Sequence, residues 1–130
     1  MRKLLLVAVL TLSFNVFANS NYDFFQTAGW NAISNLNEID TLTMDRNGLY
    51  NSRNLCTYIG SAQANIKLSM QAGMKYFLKE GREDNYHQAV GYFNKSNDLL
   101  PLCHKNLNES SRTEIRNFVN TFITELKSLL

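Results

Sequence analysis

Two cysteines carry the most constrained chemistry of this chain. Cys56 and Cys103 are the only thiols among 130 residues, and 47 positions separate them. An even cysteine count indicates a disulfide in an exported chain, and the first 18 residues of this chain have the pattern of a secretory signal peptide. Closing a loop of this length removes about 4 kcal/mol of unfolded-state entropy, which is a large share of a small domain's stability. The sequence therefore predicts one bridge between Cys56 and Cys103.

Two kinds of metal chemistry compete with this interpretation. A zinc site is the first, because His104 follows Cys103, although no Cys-x-x-Cys spacing is present. Non-covalent haem between helices is the second, since methionine and histidine are its usual axial ligands. The candidate haem ligands are Met70, Met74, His87 and His104. Methionine at helical spacing is more often core, and oxidation competes for the thiols, so we predict neither metal nor cofactor.

The sequence contains none of the common catalytic motifs. It has no glycine-rich phosphate loop, no His-Glu-x-x-His, no nucleophile elbow and no Cys-x-x-Cys-His. An acid–base pair built from distant residues stays open, with His87 or His104 beside a carboxylate. The candidate carboxylates are Asp23, Glu38 and Asp98. Both histidines lie beside polar residues near predicted helix ends, where imidazoles are more often solvated, and we therefore expect a protein that is not an enzyme.

The first 18 residues have the three parts of a secretory signal peptide. Arg2-Lys3 supplies positive charge, Leu4 to Leu12 is apolar, and Val16-Phe17-Ala18 has the small-x-small pattern that signal peptidase accepts. The apolar stretch is shorter than the roughly 20 residues that span a bilayer. The sequence thus predicts a cleaved signal peptide, no membrane anchor, and a periplasmic or secreted single helical domain of residues 19–130.

The charge balance disfavours nucleic acid as a partner. The whole chain has 13 basic and 11 acidic side chains, for a formal charge of +2. Two of the basic residues lie in the predicted signal peptide, so the remaining domain is close to neutral. Binding a phosphate backbone requires an excess of lysine and arginine on one face. We therefore expect no nucleic-acid partner.

Apolar residues with the 3.6-residue period of an α-helix follow the signal peptide. The first stripe starts near Tyr22, with Ser20 or Asn21 as N-cap, and the turn signal Asp45-Arg46-Asn47-Gly48 ends or interrupts it. The second runs from Asn51 or Ser52 to Lys79, and Gly73 is a place where it can kink. At about 28 residues and 42 Å, it is long enough for the other helices to pack along it.

Two further helices complete the predicted domain. Gly81 fits the left-handed residue that follows the second helix, Asp84 or Asn85 caps the third, and Pro101 ends it. The inner face predicted for the third helix consists of Tyr86, Ala89, Val90, Phe93, Asn97 and Leu100. Ser111-Arg112-Thr113-Glu114 has the pattern of a capping box in front of the fourth. Strand signals are nearly absent. The sequence therefore predicts an all-α, four-helix bundle-like domain with one long helix and one disulfide.

Tyrosines at the edges of the apolar stripes form the candidate contact surface. Four residues share this position: Tyr50, Tyr58, Tyr76 and Tyr92. Tyrosine is enriched in protein interfaces because its ring and hydroxyl suit both environments. The alternative is that each tyrosine only borders the core. We expect some of the four to form one exposed cluster that binds a partner.

One segment resembles the second helix of a tetratricopeptide repeat. Within residues 81–101, two aromatic residues, two small residues and a proline fall at that family's spacings. They are Tyr86, Phe93, Ala89, Ser96 and Pro101. The resemblance covers about a sixth of the chain, and no second repeat follows at the family's period. It implies a local helical hairpin of the kind used in protein-binding scaffolds.

The architecture as a whole is similar to that of small periplasmic helical immunity proteins, which neutralise effectors that attack the cell wall. We therefore expect an exported, non-enzymatic helical protein that binds another protein, with a periplasmic immunity or inhibitor protein as the specific form. The alternative is a tetratricopeptide-like scaffold or a structural subunit of a cell-envelope assembly, including a helical homodimer.

Overall fold

The computed structural model describes residues 2–44, 52–104 and 108–130 of the chain, with side chains described from residue 20 onward, apart from 44, 52, 53 and 104. This part of the chain is almost entirely helical and contains no strand. Its elements are α1 (Arg2–Met44), α2 (Ser52–Lys79), α3 (Glu83–Lys95), a 3₁₀ helix (Ser96–His104) and α4 (Glu109–Leu129). The predicted all-α fold with four helices and one disulfide is confirmed.

Helix α1 packs antiparallel to both α2 and α4, and the four helices form a bundle-like fold. The central element is α2, which packs against α1 on one side and against α3 and the 3₁₀ helix on the other. The last helix, α4, packs mainly on α1 and also contacts α3. Within the described residues, no helix is both long and apolar enough to cross a membrane.

The core contains the predicted apolar stripes of α1 and α2 and most of that of α4, together with Leu99 and Leu102 of the 3₁₀ helix, which no stripe predicted. The fully buried large side chains come from α1, α2, α4 and the 3₁₀ helix. They are Phe25, Leu36, Ile39, Leu55, Ile59, Ile66, Met70, Phe77, Leu99, Ile115, Phe122 and Leu126. Removing such a side chain from water contributes about 1.5–3 kcal/mol.

Periodicity therefore identified the inner faces of α1, α2 and α4. It was wrong for the third helix, where Ala89 is buried but Asn97 and Leu100 are exposed. The reason is that the chain tightens to a 3₁₀ helix at Ser96, so the period falls from 3.6 to 3 residues and Leu99 is buried instead.

The turn between α2 and α3 is a Schellman motif, as the predicted role of Gly81 requires. Gly81 has φ of +68°, where a side chain would be strained. The Arg82 amide donates to the Phe77 carbonyl at 2.9 Å, and the Gly81 amide donates to the Leu78 carbonyl at 3.3 Å. The prediction for α2 is confirmed at both ends, and the helix continues through Gly73 without a break.

The predicted boundaries of α3 are wrong by several residues. Arg82 is its N-cap and makes no side-chain capping bond, so Asp84 and Asn85 lie inside the first turn. The Schellman turn leads directly into the next helix, which leaves no residue free for a separate cap. Pro101 does not end α3, because the chain tightens to a 3₁₀ helix at Ser96, whose hydroxyl donates to the Phe93 carbonyl at 2.6 Å.

Two other predicted caps are also wrong. The N-cap of α4 is Asn108, whose side-chain oxygen accepts the Ser111 amide at 2.8 Å, so Ser111 is the third residue of the helix. Asparagine is as good an N-cap as serine, and α4 begins at the earlier of the two residues. In the first helix, α1 is continuous from Arg2, so neither Ser20 nor Asn21 is a cap. The predicted turn at 45–48 lies outside the described residues.

Candidate functional site

The disulfide joins the start of α2 to the 3₁₀ helix. Cys56 and Cys103 are bonded with their Cα atoms 5.0 Å apart, which confirms the predicted pairing. The bridge holds the end of the α2–α3 pair that lies opposite the Gly81 turn. Disulfides persist in oxidising compartments, so this bond fits a protein outside the cytosol.

The other chemically competent side chains are spread over the molecule. Met70 is fully buried in the core, and Met74 is half-buried against it. The His87 imidazole is exposed, and its Nε2 lies 3.7 Å from a carboxylate oxygen of Glu83. The side chain of His104 lies outside the described set. Among the side chains that are described, no three of histidine, cysteine, aspartate or glutamate form a group that could hold a metal ion.

The structure does not bring the candidate tyrosines together. Tyr58 and Tyr76 are both half-buried on α2, about 27 Å apart along the helix axis. Tyr76 contacts the ring of Tyr22 at 5.0 Å between centroids, whereas Tyr92 contacts Phe122 of α4 at 6.1 Å. Tyr50 lies outside the described residues. A role for these tyrosines in partner binding stays a prediction, but Tyr58 and Tyr76 lie far apart on one face of α2 and Tyr92 packs against α4.

A groove runs along the outside of the α2–α3 pair, beside the Gly81 turn. Two adjacent shallow cavities, of about 310 and 380 Å³, share Leu78 and Tyr86 in their walls. We call this surface the α2–α3 seam; its lining residues are Gln71, Met74, Lys75, Phe77, Leu78, Gly81, Glu83, Tyr86 and His87. Leu78 is 69% exposed, the highest value among the large hydrophobic side chains that the structure describes.

Helix geometry explains why the seam is apolar. Phe77 lies on the core stripe of α2, and the next residue, Leu78, is rotated by about 100° around the axis and so faces outward. Arg82, the third residue after the helix, places its guanidinium 5.0 Å from the Phe77 ring centroid and covers the bundle end instead of Leu78. Met74 and Tyr86 are half-buried beside it. An apolar strip is thus left open to solvent.

The charges along the seam have one sign on its α2 side. Helix α2 has no acidic residue, and the basic residues in its second half are Lys67, Lys75 and Lys79, of which Lys75 lines a cavity. Lys67 lies over the ring of Phe93 at 5.5 Å, next to the seam. The acidic residues of α3 are confined to its first turn, at Glu83 and Asp84. No ion pair joins Lys67 or Lys75 to a carboxylate among the described residues.

A cluster of four aromatic rings lies at the same end of the bundle, between α1 and α2. Tyr22, Phe25, Tyr76 and Phe77 form a chain of contacts with centroids 5.0–6.4 Å apart. Sequence reasoning missed this cluster and the seam. The available signals were the adjacent pair Tyr76-Phe77 and the apolar residue Leu78 beside a core position, but neither indicates which helix lies opposite.

Comparison with known proteins yields no match: no protein-family model, no curated protein and no solved structure matches this chain. The resemblances to a tetratricopeptide repeat and to immunity proteins therefore stay predictions.

Proposed function

We propose that this chain is an exported, non-enzymatic helical protein that acts by binding another protein, as a periplasmic immunity or inhibitor protein that neutralises an effector. The observation that carries the proposal is the α2–α3 seam. Its central residue, Leu78, is 69% exposed, although burying a leucine is worth about 2 kcal/mol. Apolar side chains grouped in a concave surface, rather than scattered singly, are typical of binding sites.

The seam belongs to a rigid part of the molecule. The disulfide holds one end of the α2–α3 pair, and the Schellman turn holds the other. Phe77, below the seam, is fully packed in the core. A preformed surface loses little conformational entropy on binding, which favours tight association. This rigidity supports a role as an inhibitor, for which slow dissociation matters.

Two features support the proposed location outside the cytosol. The first 18 residues have the pattern of a signal peptide, and the two cysteines form a disulfide. Export can be tested by mass spectrometry of the protein recovered from the periplasm. We expect a mature chain that begins at Asn19, and retention of residues 1–18 would contradict the proposed processing.

The decisive experiment uses the protein encoded beside this chain's gene as the candidate effector. That protein is directed to the periplasm, and cell lysis is followed with and without the chain. We expect the exported chain to prevent lysis and to co-elute with the effector as a stable complex. The same chain without residues 2–18 should fail to protect, because it stays in the wrong compartment. Lysis that continues beside the exported chain, with no complex formed, would contradict the proposal.

A second candidate function is a tetratricopeptide-like scaffold or envelope subunit. It is favoured by the antiparallel α2–α3 hairpin, in which the two small residues of the resemblance, Ala89 and Ser96, are both fully buried. Affinity purification separates the two functions. Recovery of several envelope components, with no single toxic enzyme neutralised, would favour the scaffold.

A further inference from the structure

We propose that the α2–α3 seam binds an acidic amphipathic helix of the partner protein. This inference rests on the proposed function, because it names the chemistry of the segment that the partner inserts. A helix lying along an antiparallel helix pair is a common recognition mode, in which apolar residues at i, i+3, i+4 and i+7 enter the groove.

The apolar part of the seam suits such anchors. The two cavities share Leu78 and Tyr86, so they are neighbours along the groove, and their other apolar walls are Met74 and Phe77. Two adjacent apolar cavities match two anchors from successive turns of one helix, which lie about 5–6 Å apart on its surface. A flat partner surface would leave both cavities unfilled.

The lysines beside the seam determine whether the partner helix should be acidic or basic. Lys67 and Lys75 follow the same side of α2, separated by about 12 Å along its axis. Neither is paired with a carboxylate among the described residues. Acidic side chains flanking the apolar anchors would pair with both lysines. Glu83 lies at the far end of the seam, so the partner's acidic residues belong along α2 rather than beside the turn.

The test measures binding of a synthetic peptide to the purified protein by fluorescence anisotropy. The probe is an amphipathic helix of about 18 residues, with leucine at helical spacing and glutamate on both flanks. The comparison probe has lysine in place of each glutamate. We expect saturable binding of the glutamate peptide, binding at least about tenfold weaker for the lysine peptide, and loss of affinity as salt is raised.

Matched variants locate the binding site. Leu78→Glu should weaken binding of the glutamate peptide by about tenfold or more, whereas Leu100→Glu, which alters an exposed leucine of the 3₁₀ helix, should leave it unchanged. Lys75→Glu should weaken binding severalfold. Lys127→Glu makes the same charge change at an exposed residue of α4 and should leave binding unchanged. Thermal melts confirm that each variant is folded. Equal effects of the seam variants and their controls would overturn the assignment.

Other occupants give different results in the same experiments. A monomer–dimer equilibrium that Leu78→Glu abolishes would assign the seam to a second copy of this chain and overturn the proposal. Binding to phosphatidylglycerol vesicles that depends on Leu78, without binding to the glutamate peptide, would assign it to a lipid surface and also overturn it.

The lysis experiment separates this inference from the proposed function. If the wild-type chain protects cells and Leu78→Glu protects equally well, the proposed function stands and the seam is not the docking site. If the glutamate peptide binds at the seam but no effector is neutralised, the seam assignment stands and the immunity function is wrong.

Discussion

The two long sides of α2 are built differently. Against α1, the helices approach so closely that a Cβ atom at Gly73 would lie 2.8 Å from a ring carbon of Phe25. The Ser69 hydroxyl donates to the Phe25 carbonyl at 2.7 Å, and the Asn65 amide donates to Asn35 at 2.9 Å. Against α3, a disulfide joins one end, and at the other end two cavities remain beside Leu78.

Under the proposed function, α2 would contribute to stability on one side and to binding on the other. The side facing α1 depends on close contact, and substitution there disturbs the core. The side facing α3 has a covalent bond, which does not require tight packing along the whole pair. The bridge between Cys56 and Cys103 therefore allows apolar side chains near Gly81 to stay unburied without separation of the helices.

The largest expected effect comes from removing the covalent bond. The double variant Cys56→Ser/Cys103→Ser should lose about 4 kcal/mol of unfolding free energy, because the unfolded chain regains the entropy of a 47-residue loop. Urea denaturation measures the loss, and reduced wild-type protein is the control. Hydrogen exchange should increase most in α3 and the 3₁₀ helix. Equal increases in α1 would contradict the contrast between the two sides.

A slightly smaller loss is expected on the packed side. Phe25→Ala should lower the unfolding free energy by about 3 kcal/mol, because the ring is fully buried between α1 and α2 and its removal leaves a cavity. Phe24→Ala is the matched control; its ring is 51% exposed, and the change should stay within about 0.5 kcal/mol. Similar losses for both variants would show that the core has been placed incorrectly.

Alanine substitution at two glycines of α2 should change the unfolding free energy in opposite directions. Gly73→Ala should destabilise by about 1 kcal/mol, since the new methyl group must displace the Phe25 ring. Gly60→Ala should stabilise by about 0.5–1 kcal/mol, because its Cβ meets nothing within 4 Å and alanine is the better helix former. Thermal denaturation of both variants measures this pair. Stabilisation by both substitutions would mean that α1 and α2 are farther apart than the structure places them.

The smallest effect on stability is expected at the seam. Leu78→Ser should change the unfolding free energy by about 0.5 kcal/mol or less, because the side chain is mostly exposed. The same variant should weaken binding to the effector by about tenfold or more. Parallel denaturation and binding measurements check both statements. A large loss of stability would show that Leu78 belongs to the packed core and not to a binding surface.

Sequence reasoning was most successful where the signal was periodic or covalent. The predicted apolar stripe of α4 has eight residues, of which Phe118 and Leu130 are half-buried and the other six are buried; the six are Ile115, Val119, Phe122, Ile123, Leu126 and Leu129. The bounds of α2 and the left-handed Gly81 were predicted for local reasons, and the disulfide followed from the cysteine count. Helix starts were predicted less well. Helix α4 uses the earlier of two competent caps, α3 follows the Gly81 turn without a side-chain cap, and α1 is continuous through its predicted caps.

The contact surface predicted from the tyrosines could not be derived from helical periodicity. Four tyrosines were grouped because each lies off a stripe or at its edge, but such positions on different helices can face different neighbours; they are Tyr50, Tyr58, Tyr76 and Tyr92. Tyr76 meets Tyr22 of α1, and Tyr92 meets Phe122 of α4. A shared position on a helical stripe carries no information about the rotation of one helix relative to the next.

The sequence by itself determined the helices, the inner faces of α1, α2 and α4, and the disulfide, because each depends on residues close in the chain or on a count of two. Only the tertiary structure decided that α2 packs closely on α1 and leaves an open seam beside α3, with Leu78 exposed and Lys75 at its edge. The physical reason is that helix packing is settled by the summed contacts of all four helices. The apolar periodicity of a helix determines which face points into the core. The packing between neighbouring helices determines which edges of that face are also buried.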